Sequence, residues 1–367
     1  MIKPYTAICI QSNNTAVSHR DEIRAANLDR NMELIDYSVN RIGFHEYAPT
    51  RLVVFPEYFL QGWSWDPKPY ASIYEKFVND IVIEIPGKET ELLGELARKH
   101  NIYIAGSASE VLSEFPDFPL NCGFIIGPDG DVIYKRHKYC PYMTKFARDA
   151  VSPHDVWDKY IEVMDGKYGR EPGNIVSLFF PVIETDIGKI ASLVCNEAFY
   201  PEHSRALGLQ GCEVMLRHSG SIDPESGTPQ QLWEITNRSH ATFNTMYVVA
   251  CATGWHFSPG FSRQVARGYS MVIDYHGAVM ALADYSGETV TGAVVDVEAL
   301  RHRRMDPKNN WLLQLRTEIY AEMYKQPIYP KNMFLNATAD TLDFPKRVAA
   351  QPLNEWLEKR IFIPPEE

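Results

Sequence analysis

Ile190-Ala191-Ser192-Leu193-Val194-Cys195-Asn196-Glu197 is a short apolar run that stops at a thiol. Such a run reads as a fully buried strand, and the residues after it, His203–Leu209, read as a helix. Two other stretches have the same form. Leu52-Val53-Val54-Phe55-Pro56-Glu57-Tyr58 is an apolar strand closed by a proline. Proline cannot donate to a sheet ladder, so Pro56 ends the strand and delivers Glu57 at its carboxyl edge. Gly130-Asp131-Val132-Ile133-Tyr134-Lys135-Arg136-His137-Lys138 is a hairpin strand that runs into a basic cluster. Open α/β folds gather their sites at such strand ends. These three stretches put a thiol, a carboxylate and an ammonium in one chain, which is the set a thiol-based acyl-transfer site needs.

Outward from these stretches, short apolar runs alternate with helical patterns. Further strands are expected at Tyr5–Ile10, Ile102–Ser107, Cys122–Ile126, Ser177–Ile183, Val214–Arg217, Tyr247–Ala252, Tyr269–Ile273, Val279–Leu282 and Val290–Val295. Helices are expected at Ala25–Arg41, Thr90–Lys99, Pro229–Phe243 and Trp311–Tyr324. In the helix at 229–243, Thr228 is placed to cap, Pro229 suits the first turn, and Leu232, Ile235 and Phe243 form the apolar face. Glycine turns at Pro128-Asp129-Gly130, Ile187-Gly188 and His276-Gly277 predict antiparallel hairpins. The result is mixed sheets with helices on their outer faces. Residues 139–174 are polar, aromatic and irregular and read as a long loop or insertion. Residues 325–367 hold six of the 24 prolines and five large aromatics, which predicts an extended tail that docks on something. No linker divides residues 1–324, so they read as one domain followed by that tail.

The 367 residues carry 36 basic and 47 acidic side chains, a net charge of −11 with histidine neutral. There is no basic surplus to release counterions from nucleic acid or to hold a polybasic surface against a membrane. No run of 18 apolar residues occurs, and the N-terminus has no charged stretch followed by an apolar signal core. The six cysteines are scattered without a CxxC pair, which points to a reducing, cytoplasmic compartment. The 11 histidines show no HxxxH pair and no His–Cys cluster, so neither metal nor other cofactor is expected. A Cys–His hydrolase using Cys195 with His203, His218 or His240 is a competing reading, but it leaves Glu57 and Lys138 without roles.

In order and wording the chain resembles the nitrilase superfamily of carbon–nitrogen hydrolases, with its Glu–Lys–Cys catalytic set. The glutamate stretch is Val-Val-Phe-Pro-Glu57. The lysine stretch places Lys138 eight residues after Gly130. The cysteine stretch is Val-Cys195-Asn-Glu-Ala-Phe-Tyr-Pro201-Glu202-His-Ser-Arg205. Agreement runs in order from Gln11 to Val295. Pro56-Glu57-Tyr58, Gln61-Gly62, Asp66 and Leu216-Arg217-His218-Ser219-Gly220 lean toward the aliphatic amidase branch. Two features depart from the pattern: Asn196 follows the cysteine where Asp or Trp is usual, and the stretch between Lys138 and Cys195 is long.

The resemblance implies an α/β fold, a four-layer α-β-β-α sandwich of two mixed sheets that assembles as a homo-oligomer. Helices 203–209 and 229–243 and the tail beyond 325 are expected at interfaces. It implies Glu57 as general base, Cys195 as nucleophile, and Lys138 with the Asn196 N–H as oxyanion donors. It also implies a second glutamate between 139 and 174, with Glu162 preferred and Glu171 its rival. Tyr58, Asn196, His218 and Tyr142 are the expected substrate contacts, and the loop at 223–227 is placed to cover the site. The implied substrate is a small aliphatic amide. A nitrile comes second, because Glu197 stands two positions after Cys195 as in many nitrilases, and an N-carbamoyl compound comes third. A family member that has lost catalysis and acts as a scaffold is the non-enzymatic alternative.

Overall fold

The computed structural model describes residues 1–41, 47–63, 75, 77–140, 150–168, 174–220, 229–258, 264–265, 268–335 and 343–366. Two six-stranded sheets carry the fold. The first runs β15 (Thr289–Val295), β1 (Tyr5–Gln11), β3 (Thr50–Val54), β4 (Tyr103–Leu112), β5 (Phe115–Ile126), β6 (Val132–His137). The second runs β14 (Val279–Leu282), β13 (Met271–Ile273), β10 (Tyr247–Ala252), β9 (Val214–Ser219), β8 (Gly188–Val194), β7 (Ile183–Thr185). Each has a parallel trio, β1-β3-β4 in one and β10-β9-β8 in the other, with antiparallel strands outside it. A small third sheet joins β2 (Asn14–Thr15), β11 (Trp255–Phe257) and β12 (Gln264–Val265).

Alternation along the strands builds the layers, because successive side chains face opposite sides of a sheet. In β1, Tyr5, Ala7 and Cys9 join the apolar layer between the two sheets, where they meet Leu216, Val249 and Cys251. Ile8 and Ile10 point the other way, onto Leu34 and Ile35 of α1 (Asp29–Arg41) and Leu93 and Leu96 of α2 (Lys88–His100). On the second sheet, Ala191, Leu193, Met215 and Val248 face Leu207 of α5 (Pro201–Leu209) and Trp233 and Ala241 of α6 (Pro229–Asn244). The order is helix, sheet, sheet, helix, the expected four-layer sandwich of two mixed sheets. All three expected glycine hairpins form, as β5-β6, β7-β8 and β13-β14. Gly130 sits at φ +86° in the first, a conformation that side-chain-bearing residues rarely adopt.

The expected apolar face of α6 is turned outward, with Leu232, Ile235 and Phe243 exposed, and four expectations about element boundaries also change. The run Ser177–Ile183 divides into a short helix, α4 (Ile175–Phe179), and the brief strand β7. The segment 139–174 is not irregular throughout: α3 (Trp157–Tyr168) forms within it, entered through a turn at Pro153–Val156 that Ser152 caps. Trp311–Tyr324 is not one helix but a 3₁₀ turn, Trp311–Gln314, and α8 (Thr317–Met323), beyond α7 (Val297–Arg304). The tail is not extended throughout, since it contains α9 (Asp343–Glu358). Part of it docks on its own chain. Asn332 and Phe334 donate backbone bonds to the carbonyls of His154 and Asp155, the Asn332 side chain binds Asp158, and Met333 and Phe334 are buried in the outer core of the second sheet. Among the described residues, no helix is long and apolar enough to cross a membrane.

Candidate active site

The three expected side chains stand at the carboxyl ends of their strands. Phe55 still bonds to the ladder, through its N–H to the Ala105 carbonyl, before Pro56 breaks the pairing. The chain then turns sharply, with Tyr58 at φ +54° and its N–H on Ser107 Oγ, and Glu57 is left facing inward, 1% exposed. Lys138 leaves β6 by donating its N–H to the Asn121 carbonyl. Its ammonium, equally buried, donates to Glu57 Oε1 at 2.8 Å. Asn121 Nδ2 donates to the same oxygen at 2.8 Å, and the Gly220 N–H reaches Oε2 at 2.9 Å. A Cβ at position 220 would come within 3.1 Å of that oxygen and 3.2 Å of Trp63, so a side chain here would press on both and glycine leaves the approach unhindered.

Cys195 lies across from this pair on the second sheet. It follows β8 directly and takes φ +52°, left-handed backbone that costs a side-chain-bearing residue about 1–3 kcal/mol. As a residue Cys195 is intermediate in burial there. Ser219 Oγ donates to it at 3.5 Å, while the next residue, Gly220, binds Glu57. The 219–220 peptide therefore ties nucleophile to carboxylate. Burial pushes the Cys195 thiol above its ordinary range and the Glu57 charge adds to that. Lys138, the Ser219 bond and Arg217 pull it back. A thiol so placed needs a neighbouring base to become a nucleophile.

The remaining expectations divide. Asn196 follows Cys195 in the turn and is nearly buried, with its side-chain oxygen unpartnered among the described residues. Tyr58 is buried beside Trp63. His218 is fully buried between the sheets, with Nδ1 on the Phe55 carbonyl at 2.7 Å, so it braces the strand that carries Glu57. Glu162 is exposed on α3 and takes no part in the bonds around Glu57 and Lys138, contrary to its expected role as second site carboxylate. Its helix buries Tyr160 and Met164 instead. Tyr142, Asp66, Glu171, Thr228 and the loop 223–227 lie outside the described residues.

Glu197 is committed elsewhere. Arg136 grips it with two bonds of 2.6 Å, and the N–H groups of Tyr139 and Val194 complete its shell. This buried pair ties the end of β6 to the turn that holds Cys195, and Arg136 holds Glu197 well below the ordinary carboxylate range against the cost of burial. The histidines of the competing Cys–His reading have other work. His203 bonds to the Glu197 carbonyl, and His240 lies between Ser204 and the Ala198 carbonyl. Burial lowers His203, His218 and His240 alike to about 4.

Sequence reasoning missed Asn121 and Ser219 as partners of the site. A signal for the first was present, since Asn121 is the one polar residue between Leu120 and Ile126. It also missed a buried group on the first sheet. His137 stands opposite Cys122 in the β5-β6 register, and with Glu110 they bring three donor atoms within 4.8 Å of one another. Glu110 is nevertheless spent on His137, at 2.5 Å, and on Lys135, at 2.7 Å, while the other His137 nitrogen meets Tyr160 Oη at 2.9 Å. A cation entering here would meet the Lys135 ammonium, so the trio reads as an ion-pair network joining α3 to the strand of Lys138.

Three comparisons bear on this geometry. The model of the carbon-nitrogen hydrolase family matches residues 9–305. A formamidase of Bacillus thuringiensis is 28% identical over 206 residues, which are 56% of this chain and 50% of that protein. The chain thus spans about half the length of the curated relatives it matches. Among solved structures, a carbon-nitrogen hydrolase from Helicobacter pylori superposes with a TM-score of 0.66 at 21% identity, over 89% of this chain and 100% of that one. An amidase from Nesterenkonia sp. AN1, carrying the acetamide moiety of fluoroacetamide on its active-site cysteine, superposes with a TM-score of 0.59 at 15% identity, over 87% and 96% of the two chains. At these identities the superpositions speak for the fold.

Proposed function

From its place in the carbon-nitrogen hydrolase family, to which this chain belongs by the match across residues 9–305, we propose that the protein is a thiol amidase. It hydrolyses a small aliphatic amide to a carboxylic acid and ammonia. The observation that carries this reading is the buried Glu57–Lys138 pair, 2.8 Å apart, joined through residues 219–220 to the Cys195 thiol on left-handed backbone. A base, a cation and a nucleophile gathered at one site are the groups that acyl transfer through a thioester uses.

In the proposed sequence Glu57 takes the Cys195 proton as sulfur attacks the amide carbon. Charge developing on the carbonyl oxygen is met by the Lys138 ammonium and the Asn196 N–H. Glu57 then gives its proton to the departing amine, the C–N bond breaks, and ammonia leaves a Cys195 thioester. Water, deprotonated by Glu57, cleaves the thioester and restores the thiol. Asn121 and Gly220 hold the carboxylate through both proton transfers.

A primary amide is favoured over a nitrile because Glu197, the residue that recommended a nitrilase, is bound to Arg136 rather than available to substrate. The formamidase relative points the same way. N-carbamoyl compounds rank third. We further propose a homo-oligomer in which the outward face of α5 and α6, with Leu209, Leu232, Ile235 and Phe243 exposed, packs on a second copy, and the tail from 325, with Leu353 and Ile361–Ile363 exposed, joins that interface. Six free cysteines suit the reducing cytoplasm. The test is ammonia release across primary amides, nitriles and N-carbamoyl amino acids, run beside Cys195→Ala. Release from amides that the substitution abolishes supports the proposal, and release from nitriles alone moves the protein to the second class. No release from anything, with Cys195 inert to alkylation, leaves a scaffold.

A further inference from the structure

We infer that Arg217 is a positioning residue, whose guanidinium holds the Cys195–Asn196 peptide so that sulfur and oxyanion donor face the same substrate; this rests on the amidase reading above. Arg217 lies within β9 and is among the largest fully buried side chains in the protein. Its neighbour Leu216 faces the layer between the sheets, so Arg217 faces outward, toward α6. There Nη1 donates to Thr236 Oγ1 at 2.9 Å and to Asn237 Oδ1 at 2.8 Å. Trp233 lies 4.3 Å from the guanidinium carbon and Phe199 5.5 Å from it. The remaining edge of the fork is aimed at one atom: Nε and Nη2 donate to the Cys195 carbonyl oxygen at 3.3 and 3.1 Å.

That carbonyl is a consequential place for a buried cation to end. In a trans peptide the C=O and the following N–H point in opposite directions. Anchoring the Cys195 oxygen to Arg217 therefore turns the Asn196 N–H the other way, away from the guanidinium. The left-handed φ of Cys195 would relax without an external hold, and relaxation would swing both the sulfur and the N–H. The same charge, with Lys138, draws the thiol downward against burial and Glu57.

Lysine preserves the charge but not the planar fork, so Arg217→Lys isolates the geometric role. We expect kcat for a primary amide to fall about a hundredfold, the size seen when an oxyanion donor is lost, with KM within about twofold. Alkylation of Cys195 by iodoacetamide reads the thiol directly. The groups facing it are Glu57, Lys138, Ser219 and Arg217. Its pH midpoint should stay in place in Arg217→Lys and rise in Arg217→Met, a split that a purely structural side chain would not produce. Thr236→Val removes one anchor of the fork and should lower kcat severalfold with KM unchanged; it decides the matter if neither Arg217 variant folds. A folded Arg217→Lys or Thr236→Val protein with kcat within about twofold of the parent overturns the inference, as does a midpoint that ignores Arg217→Met. If the parent releases no ammonia from any amide, the amidase reading fails by itself. The alkylation midpoints then still test whether Arg217 governs Cys195.

Discussion

The two sheets bring different things to the same site. The rim of the first supplies charge that is already paired. Glu57 and Lys138 neutralise each other, Asn121 shares the bond, and all three are buried. The rim of the second supplies strain and a thiol. Cys195 sits on left-handed backbone, partly exposed, held through its carbonyl by Arg217 and through its sulfur by Ser219. A chemically competent site needs both halves. Burying the charges makes them strong and fixed in place, while the thiol must remain accessible to substrate.

Perturbing each rim in turn tests that division of labour. On the reactive side, Cys195→Ala should take ammonia release below detection while leaving the melting temperature nearly unchanged. On the charged side, Glu57→Gln should lower kcat about 10²–10⁴-fold, the usual worth of a general base. The Glu57 charge raises the Cys195 thiol, so the same variant should be alkylated at lower pH than the parent. Hydrolysis and alkylation would then move in opposite directions, and if both fell together the two rims would not be separable. Between the rims, Arg136→Met strands a buried Glu197 charge and should cost about 3–5 kcal/mol in urea denaturation, with Glu197→Gln in the same chain recovering much of it.

Acid should separate the halves more gently. His203, His218 and His240 all belong to the second sheet and its helices, and burial lowers each to about 4. Unfolded histidine titrates near 6.5. Between those values the unfolded chain binds more protons than the folded one, so the contribution is full above pH 6.5 and is lost as pH falls toward 4. Each histidine accounts for at most about 1.4 kcal/mol per pH unit. Hydrogen exchange at pH 5 should show β8 and β9 losing protection before β1 and β3. The smallest effect expected is from Ser219→Ala. One lost hydrogen bond is worth about 0.5–1.5 kcal/mol, seen as a severalfold fall in kcat and a modest rise in the alkylation midpoint.

Glu57, Lys138 and Cys195 were legible in the sequence because each ends a buried strand, and strand ends are visible as apolar runs that stop at a polar residue. The hairpins were legible from their glycines. The face of α6 was not. Spacing chose Leu232, Ile235 and Phe243 as the buried stripe, yet all three are exposed, and Trp233, Asn237, His240 and Ala241 meet the sheet. Polar Asn237 and His240 can occupy that face because they find partners there, Arg217 for one and the Ala198 carbonyl and Ser204 for the other. A hydropathy pattern cannot register that compensation. The segment at 139–174 concealed α3 for a related reason, since Trp157 packs on Phe179 and Tyr139 and Asp158 is bonded by the tail, contacts that residue spacing does not show. Glu162 was chosen on its interval alone, and the sequence does not show that its side of the helix faces outward.

The contact between Asn332 and α3 also sets an order of events during synthesis. The Asp158 N–H, in the first turn of that helix, is bonded by the Asn332 side chain, 174 residues further along the chain. A ribosome adding about 5–20 residues per second needs roughly ten to thirty-five seconds to supply that partner. Through that interval both sheets can pair and the rim residues can meet. The first turn of α3 waits for its partner, so this flank matures after the strands that carry the rim residues have been made.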